Sequence, residues 1–263
     1  MERRRQGPRR VVVEGVVPCE VCDECRRGDT NRCATYDELG FTRDGAAMGF
    51  LDAPPSLVHP LAPHVTWEAA VLTEPAAVVL RALQRIAPRA GERVAIVGDG
   101  TIALLAALLV RQWQPESVTV LGARTAQADL VASAGADRFL TDPADLPPDV
   151  TLLIDAAGAT GATTDALSRA ARGVKLVLLG FPGQGKSLNL VVDDLINNDV
   201  EILGSFSYTQ TAWRDVVRLL NDGTFDPTFI VTHRFGLSEF AQALSALREP
   251  VGARGKILLE VSR

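Results

Sequence analysis

The sequence predicts an α/β fold built around a doubly wound parallel sheet. Short apolar runs alternate with helical segments through the middle of the chain, and the first run leads through a glycine-containing turn into an apolar helix. Strands that alternate with helices in this way are typical of parallel sheets covered by helices on both faces. The chain has 263 residues, of which 47% are apolar and 22% charged, so it can bury a core of this kind.

Apolar spacing places the individual elements. The predicted sheet strands are residues 93–97, 117–121, 151–154, 174–179 and 200–203. The helices between them are residues 101–112, 125–134, 161–172 and 192–197. Outside this block, the pattern predicts strands over 11–17 and 256–261 and helices over 67–86, 212–221 and 237–247, with the first of these helices interrupted at Pro75.

Charge and hydropathy exclude several classes of protein. The formal net charge of −5 argues against nucleic-acid binding, because that affinity comes mainly from neutralising phosphates. Five arginines fall within Met1–Arg10, but no apolar segment follows them, so this start is interpreted as a solvated terminus rather than a secretory signal. The longest apolar stretch, Ile102–Val110, is too short to cross a membrane. We expect a cytoplasmic protein without a membrane partner.

All four cysteines lie in one short segment and predict a structural zinc site. Cys19, Cys22, Cys25 and Cys33 follow the pattern C-x2-C-x2-C-x7-C. Zinc binds four thiolates at the corners of a tetrahedron, and two-residue spacers let the backbone turn around the ion. A closed site of four cysteines has no open position for a substrate. We therefore predict one zinc ion per chain that braces a loop without taking part in chemistry.

A disulfide framework and an iron–sulfur cluster are the alternatives to zinc. Disulfides are rare in cytosolic proteins. An iron–sulfur cluster shares the C-x2-C-x2-C opening, but Cys33 lacks the x3-C-P spacing of bacterial ferredoxins. The spacing therefore favours zinc and leaves the cluster as the second choice.

A glycine-containing turn predicts a dinucleotide site. Gly98-Asp99-Gly100-Thr101-Ile102-Ala103 follows a strand and opens a helix. Gly98 permits a tight turn, Gly100 lets the backbone approach a pyrophosphate, and Ala103 allows close packing of helix on strand. The helix N-terminus supplies free amides and a positive dipole for the phosphates. Within a repeated strand–helix pattern, this motif indicates a Rossmann-type cofactor domain.

The end of the next strand favours NADP over NAD. An NAD site expects an acidic residue there, about twenty residues after the glycines, to bind the ribose hydroxyls. The sequence instead has Gly122-Ala123-Arg124. Gly122 leaves room, and Arg124 suits a 2′-phosphate because its guanidinium can donate two hydrogen bonds to it. The alternative is that Arg124 is a solvated residue at a helix start and that NAD binds.

These residues together resemble the zinc-containing medium-chain dehydrogenase family, the alcohol, polyol and sugar dehydrogenases. The cysteine segment is similar to the structural zinc lobe of that family, and further similar segments extend from Val11 to Val261. These segments are Leu72-Thr73-Glu74-Pro75-Ala76, Asp155-Ala156-Ala157-Gly158, residues 173–180, residues 230–235 and Gly255-Lys256-Ile257. On this resemblance, Gly158 and Lys256 join the predicted cofactor contacts.

The resemblance implies a domain organisation and a catalytic metal site. A GroES-like catalytic domain would comprise residues 1–80 and 204–263, with the Rossmann domain inserted as residues 81–203. The family holds a catalytic zinc with an early cysteine, the histidine of a Gly-His-Glu motif and a third ligand, which Glu74 matches in the polyol branch. The first two ligands have no match here, so the GroES-like domain is expected to be incomplete ahead of Val11. Glu74 is then either an orphan ligand or a glutamate at a helix start.

The favoured hypothesis is an NADP-preferring oxidoreductase that acts on an alcohol, polyol or sugar and assembles as a homodimer, the commonest symmetric oligomer. The first alternative is a catalytically inactive remnant that still binds cofactor. The second is a zinc-free, quinone-reductase-like hydride carrier, which the cysteine segment disfavours.

Overall fold

The computed structural model describes residues 10–249 and 251–261, and the arginine-rich start apart from Arg10 lies outside them. The strands in these residues are β1 Val11–Val13, β2 Val16–Val17, β3 Asp37–Glu38, β4 Val58–Pro60, β5 Arg93–Val97, β6 Ser117–Leu121, β7 Arg138–Leu140, β8 Leu152–Asp155, β9 Lys175–Leu178, β10 Glu201–Gly204, β11 Val231–Gly236 and β12 Lys256–Glu260. The helices are α1 Asp23–Arg27, α2 Trp67–Ala70, α3 Thr73–Ile86, α4 Thr101–Val110, α5 Ala128–Ser133, α6 Thr160–Arg169, α7 Val192–Asn197, α8 Gln210–Asn221 and α9 Phe240–Arg248.

A parallel six-stranded sheet forms the centre of the structure. Its strand order is β10-β9-β8-β5-β6-β7, and every neighbouring pair is parallel. The order runs in opposite directions on the two sides of β5, so the sheet is doubly wound, as the sequence predicts. In sheets of this kind, ligands bind outside the carboxyl ends of the strands at the point where the order reverses. The end of β5 is therefore where a cofactor is expected.

Both faces of the sheet are buried, because side chains alternate between the faces along each strand. Val94 and Ile96 pack into the larger apolar cluster, which includes α3, α4 and α8. Ala95 and Val97 pack into a second cluster with α6. This double burial explains why the sheet strands appear in the sequence as continuous apolar runs.

The remaining strands form small sheets outside the central one. β1 pairs with β4 and β2 with β3 in antiparallel fashion, whereas β11 and β12 are parallel. The predicted division into domains, with a Rossmann part over 81–203, stays a prediction; the central sheet itself runs from β5 to the end of β10 at Gly204. Among the described residues, no helix combines the length and apolar character needed to cross a membrane.

The predicted strand over 11–17 is interrupted in the structure. Glu14 is 1% exposed and its carboxylate lies 2.6 Å from Nε2 of His59. The backbone N–H groups of Gly15 and Val16 donate to the hydroxyl of Tyr208 at 3.0 and 3.1 Å instead of extending the pairing of β1. Tertiary hydrogen bonds, which the local pattern does not reveal, therefore divide this segment into β1 and β2.

The predicted break at Pro75 was wrong in its position. The helical segment ends at Ala70 and starts again at Thr73, so Pro75 lies in the first turn of α3. Proline is tolerated there because the first N–H groups of a helix have no intrahelical acceptor. This break puts Glu74, the second residue of α3, at the start of a buried helix that faces the central sheet.

Candidate functional site

The four cysteines converge on one point, as their spacing predicts. Their sulfur atoms all lie within 4.8 Å of one another, and the Sγ atoms of Cys19 and Cys25 are 3.9 Å apart. A tetrahedral zinc ion with bonds of about 2.3 Å requires sulfur atoms about 3.8 Å apart. The arrangement therefore fits a closed, structural zinc site.

Local backbone geometry produces this convergence. Cys22 precedes the first turn of α1, which carries Cys25. Gly28 ends α1 with φ of +86°, a left-handed conformation that favours glycine, and turns the chain back. A short helical turn, Thr30–Arg32, then delivers Cys33, which is 2% exposed.

The thiols differ in their readiness to ionise. The backbone N–H groups of Val21 and Cys22 lower the pKa of Cys19 to about 6 because they donate towards its sulfur. Burial raises the pKa of Cys25 to about 12. Zinc binds thiolates, so the metal must supply the stabilisation that Cys25 lacks without it.

The predicted dinucleotide turn lies at the carboxyl end of β5. Gly98 has φ of +122°, and a Cβ added to it would lie 3.0 Å from the Cβ of Ala157 in the neighbouring loop. Gly100 precedes α4, whose first amides have no intrahelical acceptor. Thr101 and Ile102 therefore stand where a pyrophosphate would meet free N–H groups.

Gly122 and Arg124, which follow β6, contact the dinucleotide turn, but Arg124 does not do so in the predicted way. Arg124 is paired with Asp99, its Nη2 lying 2.6 Å from the carboxylate, instead of pointing freely towards a ligand. The Asp99 carboxylate also accepts the backbone N–H groups of Ala123 and Arg124, both at 3.0 Å. Gly122 lies directly beneath this carboxylate. The sequence indicated each of these residues, but not the contact between Asp99 and Arg124.

A buried glutamine ties this turn to the C-terminal part of the chain. The side-chain amide of Gln127, 0% exposed, donates to the backbone oxygens of Asp99 and Arg254 at 2.5 and 3.0 Å. Its oxygen accepts the backbone N–H of Arg254 at 2.7 Å. Arg254 comes shortly before Lys256, the predicted cofactor contact at the start of β12.

Two glycines cross closely at the ends of β8 and β9. The carboxylate of Asp155 accepts the N–H groups of Ala157 and Gly158 and shapes the turn after β8. A Cβ added to Gly180 would lie 1.9 Å from the backbone nitrogen of Gly158. Sequence reasoning found Gly158 by resemblance but missed its dependence on Gly180, because the contact joins two strand ends that are remote in sequence.

Glu74 lies beside a cavity of about 470 Å³ next to the end of β9. The cavity is lined by four aromatic side chains, those of Tyr36, Phe41, Phe181 and Phe206, and by a second carboxylate that the sequence analysis missed, that of Glu38. Glu38 is in the short strand β3, and no motif marked it. Apolar and polar residues contribute equally to the lining, so the cavity can both bury and orient a small molecule.

The surroundings of Glu74 favour its neutral form. The side chain keeps exposed surface, but the protein surrounds it closely enough that burial raises the pKa of the carboxyl. The positive charge of Lys256 partly offsets this rise, and the carboxylate of Glu38 adds to it. The positive charge of Lys256 therefore influences the ionisation of Glu74.

The residues around Glu74 do not fit a catalytic zinc by themselves. Across residues 10–249 and 251–261, the four cysteines are the one group of three or more potential ligands whose donor atoms lie close together. A catalytic zinc usually has three protein ligands. No step is therefore assigned here to a metal beside Glu74.

Comparisons with known proteins agree with this geometry. The family model described as glucose dehydrogenase C-terminus matches residues 67–253. The sorbitol dehydrogenase of Bacillus subtilis (strain 168) is 26% identical over 248 residues, which cover 89% of this chain and 69% of that protein.

Two solved structures have the same fold. An alcohol dehydrogenase from Escherichia coli CFT073, complexed with NADH, superposes with a TM-score of 0.87 at 23% identity and covers 95% of this chain and 76% of its own. A protein from Sinorhizobium meliloti 1021 described as a zinc-binding dehydrogenase, bound to NADP, gives 0.86 at 24% identity, with coverage of 97% and 78%.

Proposed function

The chain belongs to the zinc-containing medium-chain dehydrogenase family, and on that premise we propose that it transfers hydride between a nicotinamide cofactor and an alcohol, polyol or sugar. The main support is the position of the Gly98–Ala103 turn at the reversal point of the sheet, on the same edge as the cavity beside Glu74. The sorbitol dehydrogenase relative supports a polyol as the substrate class.

The residues at this edge of the sheet have different roles. The turn and the start of α4 bind the pyrophosphate with backbone N–H groups. Gly158 and Gly180 let the backbone after β8 and the backbone after β9 cross closely, which shapes the edge where the nicotinamide would lie. The nicotinamide, when bound, supplies the hydride chemistry. Oxidation of an alcohol also releases a proton, and Glu74 is the carboxylate placed to receive it.

NADP is proposed as the preferred cofactor. No acidic residue ends β6, and the guanidinium of Arg124 lies at the adenosine end of the expected site. The four clustered thiols support a reducing compartment, and we propose the cytoplasm.

Purified protein is expected to bind NADPH more tightly than NADH and to reduce NADP in the presence of a polyol. The first result follows from Arg124, and the second from the cavity beside Glu74. Fluorescence titration of both cofactors, followed by an absorbance assay over alcohols, polyols and aldoses, measures both. Equal affinities for the two cofactors would contradict the NADP preference. Absence of binding by either would contradict the proposed function.

A cofactor-binding protein without dehydrogenase activity is the second candidate. The observation that favours it is the absence, among the described residues, of a ligand set that would complete a metal site with Glu74. Cofactor binding without turnover of any substrate in the same assay would support this candidate over the first.

We also propose a homodimer that forms through the β10 edge of the sheet. Among the described strands, β10 pairs only with β9, so its outer backbone groups are available for pairing. Exposed apolar side chains occur in β10 and in the helix that precedes it: Val192 and Ile196 in α7 are 65% and 71% exposed, and Ile202 in β10 is 37% exposed. A second copy of the chain would cover both the backbone edge and these side chains.

The double substitution Ile196→Asp/Ile202→Asp is expected to convert the dimer into a monomer, because it brings four carboxylates into the two-fold interface. Light scattering coupled to size exclusion measures the mass. Val21→Asp, at a side chain 66% exposed in the cysteine segment, is the matched control and should leave the mass unchanged. A wild-type monomer, or a dimer that survives the double substitution, would contradict this interface.

A further inference from the structure

Asp99 fills the space that an acidic residue at the end of β6 would need. Gly122 is the first residue after β6, the usual place for the acid that binds the adenosine ribose. A Cβ added to Gly122 would lie 2.6 Å from the Cβ of Asp99, 2.7 Å from its Oδ2 and 2.7 Å from Cε2 of Phe139. Contacts this short exclude any side chain at position 122 while Asp99 is present. The carboxylate beside Gly122 belongs instead to Asp99, in the glycine turn.

The carboxylate of Asp99 is saturated by protein donors. Its Oδ2 accepts the backbone N–H groups of Ala123 and Arg124, and its Oδ1 accepts Nε and Nη2 of Arg124 at 3.1 and 2.6 Å. Its side chain is 10% exposed. The Asp99 carboxylate is therefore poorly suited to accept a hydrogen bond from a ribose hydroxyl. Most of its hydrogen bonds come from Arg124.

Asp99 accepts hydrogen bonds from two of the three guanidinium nitrogens of Arg124. Nε and Nη2 are engaged by Asp99, whereas Nη1 is buried and has no hydrogen-bond partner among the described residues. The Arg124 side chain as a whole is 25% exposed, so it remains accessible to a ligand. The guanidinium of Arg254 is close by: burial and then the charge of Arg124 lower the pKa of Arg254, and Asp99 opposes this. Two cations and one carboxylate leave a net positive charge, which suits a phosphate.

We propose that Asp99 is a positioning residue that replaces, from the glycine turn, the acid normally found at the strand end, and that it fixes Arg124 so that its guanidinium meets the 2′-phosphate of NADP. This inference rests on the proposed function, because it requires a nicotinamide dinucleotide at the turn. A carboxylate at position 122 would instead accept the ribose hydroxyls of NAD and repel a 2′-phosphate. The position that carries the acid therefore determines which cofactor binds.

The test measures dissociation constants for NADPH and NADH with the full chain, three test variants and one control variant. Arg124→Ala should weaken NADPH binding about tenfold or more, the scale of a charge-assisted hydrogen bond, and change NADH binding little. Asp99→Asn should also lower the preference for NADPH, because an uncharged amide with one oxygen cannot accept from both the guanidinium and the backbone N–H groups, so Arg124 loses its charged partner. The exchange Asp99→Gly/Gly122→Asp/Phe139→Ala should reverse the preference towards NADH, since it removes all three atoms that a Cβ at position 122 would meet. Arg138→Ala, an exposed arginine on the neighbouring strand β7, is the matched control and should leave both constants unchanged.

The ratio of the two constants separates positioning from a merely structural role. Asp99→Asn would weaken both cofactors equally if Asp99 only supported the turn, and that result would overturn the proposal. An unchanged ratio in Arg124→Ala would overturn it as well. If the exchange variant does not fold, as judged by thermal melting, the two single variants decide. A wild-type protein that binds neither cofactor refutes the proposed function, whereas one that binds both with an unchanged ratio in the variants refutes this inference alone.

Discussion

Replacement of Cys25 by serine is expected to release the bound zinc and to destabilise the chain by at least about 4 kcal/mol, because structural zinc contributes its binding free energy to folding. The four sulfur atoms already lie within 4.8 Å of one another. Cys25→Ser leaves three thiolates, and a serine hydroxyl is not among the usual ligands of zinc. The segment around Cys33 should then lose its packing.

Metal analysis and thermal melting measure this effect. Wild-type protein should contain one equivalent of zinc and no iron, whereas Cys25→Ser should contain neither. Val21→Ser, at an exposed position between two of the ligands, should keep the metal and the melting temperature. Iron in the wild-type protein would favour a cluster over zinc, and two firmly bound zinc ions would reveal a second site.

Gly180→Ala is expected to destabilise the protein by at least about 3 kcal/mol and to abolish cofactor binding. The added Cβ would lie 1.9 Å from the backbone nitrogen of Gly158 and 2.5 Å from the carbonyl carbon of Ala157. The opposing atoms are backbone, so rotation of a side chain cannot relieve the contact. The turn after β8 would have to move away from the end of β9, which would change the edge where the nicotinamide is expected.

The control is another glycine, in the helix that follows the turn after β8. Gly161 in α6 has open space around its Cβ position, so Gly161→Ala should be neutral or stabilise the protein by about 0.5–1 kcal/mol. Chemical denaturation gives both free energies, and cofactor titration gives the functional effect. Equal stability of the two variants would contradict the close crossing of the strand ends.

The central sheet could be predicted because its strands are buried on both faces and therefore form continuous apolar runs. Arg93–Val97 and Leu152–Asp155 are of this kind. The edge strand β7, Arg138–Leu140, was missed because it is three residues long and begins with an exposed arginine. A strand this short has too few residues to show a period.

The candidate sites were predictable to the extent that their residues are local in sequence. The cysteine spacing revealed the metal site, since its ligands lie close together along the chain. The pairing of Asp99 with Arg124 depends on the absence of a side chain at Gly122. A sequence pattern does not show that Asp99 fills the space that such a side chain would need. Glu38 was missed for a related reason: only the folded chain brings it to the cavity beside Glu74.

The side-chain amide of Gln127 has a thermodynamic consequence. It bonds the oxygen of Asp99 in the cofactor turn and both backbone groups of Arg254, so the two segments share one set of hydrogen bonds. Coupling free energies are reciprocal. A ligand that rigidifies the turn must therefore lower the open population of the segment around Arg254, and loosening of that segment must weaken binding of the ligand by the same factor. Cofactor affinity and C-terminal order become two measurements of a single equilibrium.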